Sequence, residues 1–125
     1  MNAFTDAIAR AEAKGWKEGA KRMKGERQMA GALVRECLKQ GYLISVNNGE
    51  DWPIRRSRSY RAVMDALWQT DEEGVCIYDA DGRPKGHFFL VYGNSGAELV
   101  CDYSDNDACN AVYDALRPLM DRLEA

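Results

Sequence analysis

The chain reads as one α+β domain: a mainly antiparallel sheet of four to five strands, with two helices on one face and a helical segment at the N-terminus. Three observations predict this. Residues 1–40 carry apolar side chains at helical spacing, residues 75–103 alternate apolar and polar between tight turns, and residues 107–123 return to the helical period. Residues 41–125 form the sheet-and-helix body, and no repeat, linker or low-complexity stretch divides the chain.

Along residues 3–24 the stripe Phe4, Ile8, Ala11, Gly15, Gly19, Met23 has helical spacing but small residues at its middle. Each glycine inside a helix costs about 1 kcal/mol relative to alanine, so either a break or frayed arm near Gly15 or the close approach of another helix or strand is expected, the break being favoured by the surrounding lysines and arginine. Residues 26–40 make a stronger helix, with Met29, Leu33, Val34, Cys37 and Leu38 on one face and Gly41 as its stop. A strand over 42–46 then meets Asn47-Asn48-Gly49, residues that tolerate positive φ and so turn the chain. The returning segment from Trp52 to Arg55 is an edge strand, because Pro53 has no N–H for a central ladder. Ser57 or Ser59 caps a helix over 59–69 whose inner face is Tyr60, Val63, Met64, Leu67 and Trp68. Strands follow over 75–79, 86–92 and 97–103, joined by hairpin loops at Asp81-Gly82 and Gly93-Asn94-Ser95-Gly96. Ser104 or Asp105 caps the last helix, where Pro118 is expected to kink the axis or start a separate turn.

Composition excludes several classes. A hydrophobic fraction of 46% with three Trp, six Tyr and three Phe is enough to build a core, which rules out disorder as the main state. No apolar run approaches the roughly 20 residues that span a bilayer. The first residues lack a basic leader and apolar segment, so a soluble cytoplasmic protein without membrane association is expected. Cys37, Cys76, Cys101 and Cys109 form no C-x-x-C pair and lie in apolar segments, so buried free thiols are expected. With one histidine in the chain, no metal or cofactor is expected. Residues 1–61 hold 13 Lys/Arg against 7 Asp/Glu, whereas residues 62–125 hold 4 against 13. Either half could therefore face a charged partner.

With four-residue loops, one sheet face carries Val75, Ile77, Phe88, Leu90, Leu99 and Cys101 and forms the core. The other carries Cys76, Tyr78, His87, Phe89, Val91, Glu98, Val100 and Asp102. This second face is too apolar for open water and too polar for a plain core, so the N-terminal helices or a partner should cover it. Tyr78, Phe89 and Val91 are its apolar anchors.

Four constellations bear on function. Cys76, His87 and Asp102 fall in one row, and a thiol beside an imidazole oriented by a carboxylate is how a thiolate nucleophile is made; a buried thiol near a half-exposed histidine is the plainer account. Asp79-Ala80-Asp81-Gly82 suggests a calcium loop, but Leu90 stands where the closing acid belongs, so it is a hairpin turn. Arg55, Arg56, Arg58 and Arg61, with Trp52 and Tyr60, mix cations and aromatics as single-strand nucleic-acid surfaces do, which would give weak, non-specific binding. Glu72, Glu73, Asp105 and Asp107, with Asp71, Asp79 and Asp81, sit in turns and at helix ends, where carboxylates could stand in for phosphates on a basic partner.

The phrases Gly41-Tyr42-Leu43-Ile44-Ser45-Val46-Asn47-Asn48-Gly49-Glu50, Leu90-Val91-Tyr92-Gly93-Asn94 and Asp102-Tyr103-Ser104-Asp105-Asn106 together resemble small uncharacterised proteins of tailed phages and prophages. The likeness covers roughly residues 35–123. It implies a viral, bacteriophage context, in which small proteins often bind host machinery as inhibitors of CRISPR–Cas (anti-CRISPR proteins) or of other defence systems. It carries over no functional residue. The expectation is a non-enzymatic inhibitor that occludes a host protein or ribonucleoprotein complex stoichiometrically. A nucleic-acid accessory protein is the alternative, and a cysteine-dependent enzyme the third reading.

Overall fold

The computed structural model describes residues 2–125. The element order is α1 (Ala3–Ala13), α2 (Lys17–Lys39), β1 (Leu43–Asn47), β2 (Ile54–Ser57), α3 (Tyr60–Ala66), β3 (Glu72–Tyr78), β4 (Pro84–Val91), β5 (Val100–Tyr103) and α4 (Asp107–Glu124). The five strands form one antiparallel sheet in the order β2-β1-β3-β4-β5. The fold is α+β, with an N-terminal helical hairpin.

Gly15, at φ +75°, breaks the first helical stretch into α1 and α2. Asn2 caps α1 by accepting from the Thr5 N–H. α2 begins at Lys17, nine residues before the stronger periodicity, because Ala20 and Met23 bury against Ala7, Ile8 and Ala11 of α1. At the other end Gly41, at φ +89°, stops α2.

α3 is shorter than the expected 59–69. Ser59 caps it, accepting from the Ala62 N–H, and it ends at Ala66. The chain then turns away because the buried Glu73 carboxylate accepts from the N–H groups of Trp68 (2.7 Å) and Gln69 (2.8 Å). Trp68 sits at φ +63° and stacks on Phe4, with ring centroids 5.4 Å apart. Asn106, rather than Ser104 or Asp105, caps α4 by accepting from the Cys109 N–H. α4 runs unbroken through Pro118 to Glu124.

Side chains from α2, α3 and α4 cluster with one face of the sheet. Leu33, Val34 and Cys37 (α2), Val63 and Met64 (α3), and Cys109, Val112 and Leu116 (α4) join Ile44, Val46, Val75, Ile77, Phe88 and Leu90 in one core. α1 packs on α2, and its Phe4 enters the same core. All four helices therefore lie on this side. The expectation that the N-terminal helices cover the second face is overturned: the α2 stripe at Met29, Leu33, Val34 and Cys37 is a core face, and it takes the middle of the helical layer.

Register explains two further corrections. Cys76 pairs with His87 and Val75 with Phe88, as expected. Across the next ladder, Phe89 pairs with Asp102 and Leu90 with Val100, so Cys101 is an extra residue in a bulge. Cys101 is consequently exposed, not buried. Tyr103 takes its place opposite Phe88, and Val100 packs against the core rather than on the second face.

Candidate functional site

The uncovered face of the sheet is built from alternate residues of adjacent strands: Leu43, Ser45 and Asn47 on β1, Glu72, Cys76 and Tyr78 on β3, His87, Phe89 and Val91 on β4, and Asp102 on β5. Tyr78, Phe89, Val91, Leu43 and Cys76 are half-buried, while His87 and Asp102 are exposed. Ser45 is an exception, only 2% exposed, because β2 bulges over it: the Arg56 N–H donates to Ser45 Oγ at 2.8 Å. The bulge puts Arg56 at φ +46°, and its guanidinium lies 5.3 Å from the Tyr78 ring centroid. The aromatic anchor is thus half-covered by an arginine, an arrangement worth about 0.5–1 kcal/mol at an exposed site.

The Cys76–His87–Asp102 row is only half assembled. Cys76 and His87 are cross-strand partners, but Asp102 stands opposite Phe89, two residues along from the expected position. The residue beside His87 is Ser104, whose Oγ lies 2.9 Å from His87 Nδ1 and accepts from the His87 N–H at 3.0 Å. Burial pushes the Cys76 thiol above its ordinary value, which disfavours the thiolate. The other two shifted thiols go the same way: burial raises Cys109, and it pushes Cys37 up to about 12, with Cys109 and Glu36 adding to the effect.

The expected acidic surface is divided. Glu73 is 1% exposed, and its carboxylate accepts from Trp68 N–H, Gln69 N–H and the Tyr92 hydroxyl (2.7 Å). It is a structural acid and is withdrawn from any partner surface. Glu72 is exposed opposite Val91, at one end of β4. Asp105 and Asp107 are exposed at the other end, where their neighbour Asn106 donates to the Lys85 carbonyl. Six residues of strand separate those ends, roughly 20 Å. Asp79 accepts from the N–H groups of Arg83 and Asp81, both at 2.9 Å, so its turn consumes one carboxylate oxygen. The Arg83 amide first, then those of Asp81 and the nearby Lys85 and Arg83 charges, hold its carboxyl below the usual range despite a smaller opposing effect of burial.

The basic group is divided too. Arg55 lies 5.6 Å over the Trp52 ring at the β2 edge, next to Arg56 over Tyr78. Arg58 is exposed just beyond β2, and Arg61, also exposed, lines a cleft between α2 and α3. A larger cleft, about 720 Å³, lies where the α1–α2 turn meets the Asn94-Ser95-Gly96 loop and carries Lys17, Lys21 and Lys24 with Glu12 and Glu18. Sequence reasoning missed a second buried acid beside it. Glu26, 0% exposed, accepts from the Gly93 N–H at 2.8 Å and ties the β4–β5 loop to α2, where Gly96 lies against Gly25 too closely for a Cβ. Its place in the sequence, in step with Met23, Met29 and Ala30 on the inner side of α2, was the available signal.

Among the described residues no group of three or more His, Cys, Asp or Glu side chains is placed to hold a metal ion, and no helix is long and apolar enough to cross a membrane. No protein-family model, curated protein or solved structure matches the chain.

Proposed function

We propose that this domain is a phage-type binding protein that acts by stoichiometric occlusion of a host protein or ribonucleoprotein complex, as an anti-CRISPR or other anti-defence inhibitor. The observation that supports it is the uncovered sheet face, on which Tyr78, Phe89 and Val91 are half-buried with no helix above them among the described residues. A rigid sheet presenting aromatic and branched side chains gives a partner preorganised apolar anchors, and tyrosine is among the residues enriched at the hot spots of protein interfaces. The phage context comes from the strand and turn phrases between residues 41 and 106. The acidic mimic is narrowed by the burial of Glu73: Asp105 and Asp107 remain as one exposed acidic end, apart from Glu72.

The test is a plating assay. The chain is expressed in a bacterial host whose CRISPR–Cas or other defence system blocks a phage, and plaque formation is counted. Plating should be restored, and the chain should co-purify with the defence complex at a fixed stoichiometry. Phe89→Lys and Val91→Lys should abolish both effects while the far-UV circular dichroism stays native. Failure to restore plating against a panel of defence systems would remove the anti-defence reading.

One observation favours the nucleic-acid alternative. Arg55 on Trp52 and Arg56 on Tyr78 put two cation–aromatic pairs side by side at the β2 edge, which suits weak, salt-sensitive contact with single strands.

A further inference from the structure

On the helical side of the molecule, away from the open sheet face, we infer that the cleft between α2 and α3 is an anion site for a ligand carrying two or more phosphate groups. The cleft measures about 260 Å³, and Arg27 and Arg35 of α2 and Arg61 of α3 all line it. Asp65 is the sole carboxylate of its lining among the described residues. Arg22 and Arg117, elsewhere on the surface, each lie within 3.4 Å of a carboxylate oxygen. Arg27, Arg35 and Arg61, like the arginines other than Arg22 and Arg117, make no such pair among the described residues, and these three are gathered in one cleft. Three guanidiniums sharing a concave surface with one acid leave an excess of positive charge that an anion would relieve.

The cleft has a built floor. Tyr60 lies so close to α2 that a Cβ at Gly31 would come within 2.8 Å of its hydroxyl oxygen, so glycine at that position lets the ring seat there. The ring in turn holds Arg35, whose guanidinium carbon is 4.5 Å from the centroid. A guanidinium held over a ring spends none of its N–H donors on a carboxylate and keeps the fork that matches phosphate oxygens. Arg27 and Arg35 are eight residues apart on one helix, a rise of about 12 Å. A ligand with two or more phosphates can meet both side chains without their converging on one point. Arginine clusters are the usual means of recognising such groups. The phosphates could belong to a free polyphosphate-bearing ligand or to a nucleic-acid backbone, and the chemistry of recognition is the same for both.

The test uses the full chain and two probes, inorganic tripolyphosphate and a short single-stranded oligonucleotide, titrated calorimetrically at about 0.15 M salt, where exposed charges beyond roughly 8 Å are screened. Tripolyphosphate should saturate one site per chain. Arg27→Gln with Arg61→Gln should weaken it about tenfold or more, whereas Arg83→Gln with Arg122→Gln, the same loss of charge outside the cleft, should change it less than about threefold. Arg61→Gln alone, at an exposed position, serves as the readout if the double variant misfolds. An oligonucleotide that binds with the same arginine dependence assigns the phosphates to a nucleic-acid backbone, and one that does not bind while tripolyphosphate does assigns them to a free ligand. Absence of saturable binding by either probe, or equal weakening by the two double variants, overturns the site.

Discussion

The two faces of this sheet are made of adjacent residues with opposite fates. Phe88 is 0% exposed under the helices, while its neighbour Phe89 is half-buried on the open side. Glu73 is enclosed by three donors, while Glu72 is exposed. Side-chain chemistry does not separate the members of either pair, since they are the same residue type. The period of two along a strand does it, together with the fact that every helix packs on one side. A residue's role here is set by parity of position, and each strand therefore contains its own control.

The largest effect expected from this contrast is in the phenylalanine pair. Phe88→Ala removes a ring enclosed by the core and should cost about 3–5 kcal/mol in urea-induced unfolding. Phe89→Ala removes a ring already half in water and should cost less than about 1.5 kcal/mol. Equal losses at the two positions would mean that the open face is covered in solution, by a second copy or by a rearranged helix.

The glutamate pair comes next. Glu73→Ala leaves the Trp68 and Gln69 amides and the Tyr92 hydroxyl without their acceptor, and hydrogen bonds to a charged group are worth about 1.5–3 kcal/mol each before relaxation. A net loss of about 3 kcal/mol is expected, against about 0.5 kcal/mol or less for Glu72→Ala. Because the Glu73 carboxylate also holds Trp68 against Phe4, the variant should change near-ultraviolet circular dichroism as well as stability. A variant as stable as the native chain would show that the carboxylate does not hold the end of α3.

Most of the helical and strand order is legible in the residues, because it follows from periodicity and from glycines at required positive φ, as at Gly15 and Gly41. The β3–β4 pairing is legible as well from Glu72 to Ile77, where Cys76 stands beside His87, but the one-residue shift between Ile77 and Tyr78 next to the Asp81-Gly82 turn is not. The misreadings have a common cause: they depend on a single residue whose local sequence looks ordinary. A bulge inserts one position without altering the composition of its strand, so Asp102 moved away from His87 and Val100 moved to the core side. Glu73 sits in an acidic run, Asp71-Glu72-Glu73, that reads as solvent-facing. Only the three-dimensional return of Tyr92 and the α3 end supplies the donors that make its burial tolerable. Of the candidate site, the apolar anchors Tyr78, Phe89 and Val91 were legible by alternation. The arginine cleft was not, because Arg27, Arg35 and Arg61 have no spacing in common.

The smallest effect is the most direct probe of the bulge. By simple alternation Cys101 would share the core with Phe88, and its replacement would open a small cavity. In the structure it is the extra residue between the Asp102 and Val100 pairings, exposed, with Tyr103 opposite Phe88 instead. Cys101→Ser should therefore change stability by no more than about 0.5 kcal/mol, as surface replacements do. Reactivity gives an independent measure. Thiol exchange with an aromatic disulfide at pH 8 requires access and a thiolate, and Cys101 has the access that the buried Cys37 and Cys109 lack. Cys37, held up to about 12 mainly by burial, is also almost entirely protonated at that pH. One thiol should react rapidly and disappear in Cys101→Ser, the half-buried Cys76 should follow slowly, and Cys37 and Cys109 should wait for unfolding. A Cys101 that reacts no faster than the buried Cys109 would mean that the β4–β5 register lacks the bulge, and the assignment of residues to the two faces at that edge would have to be reversed.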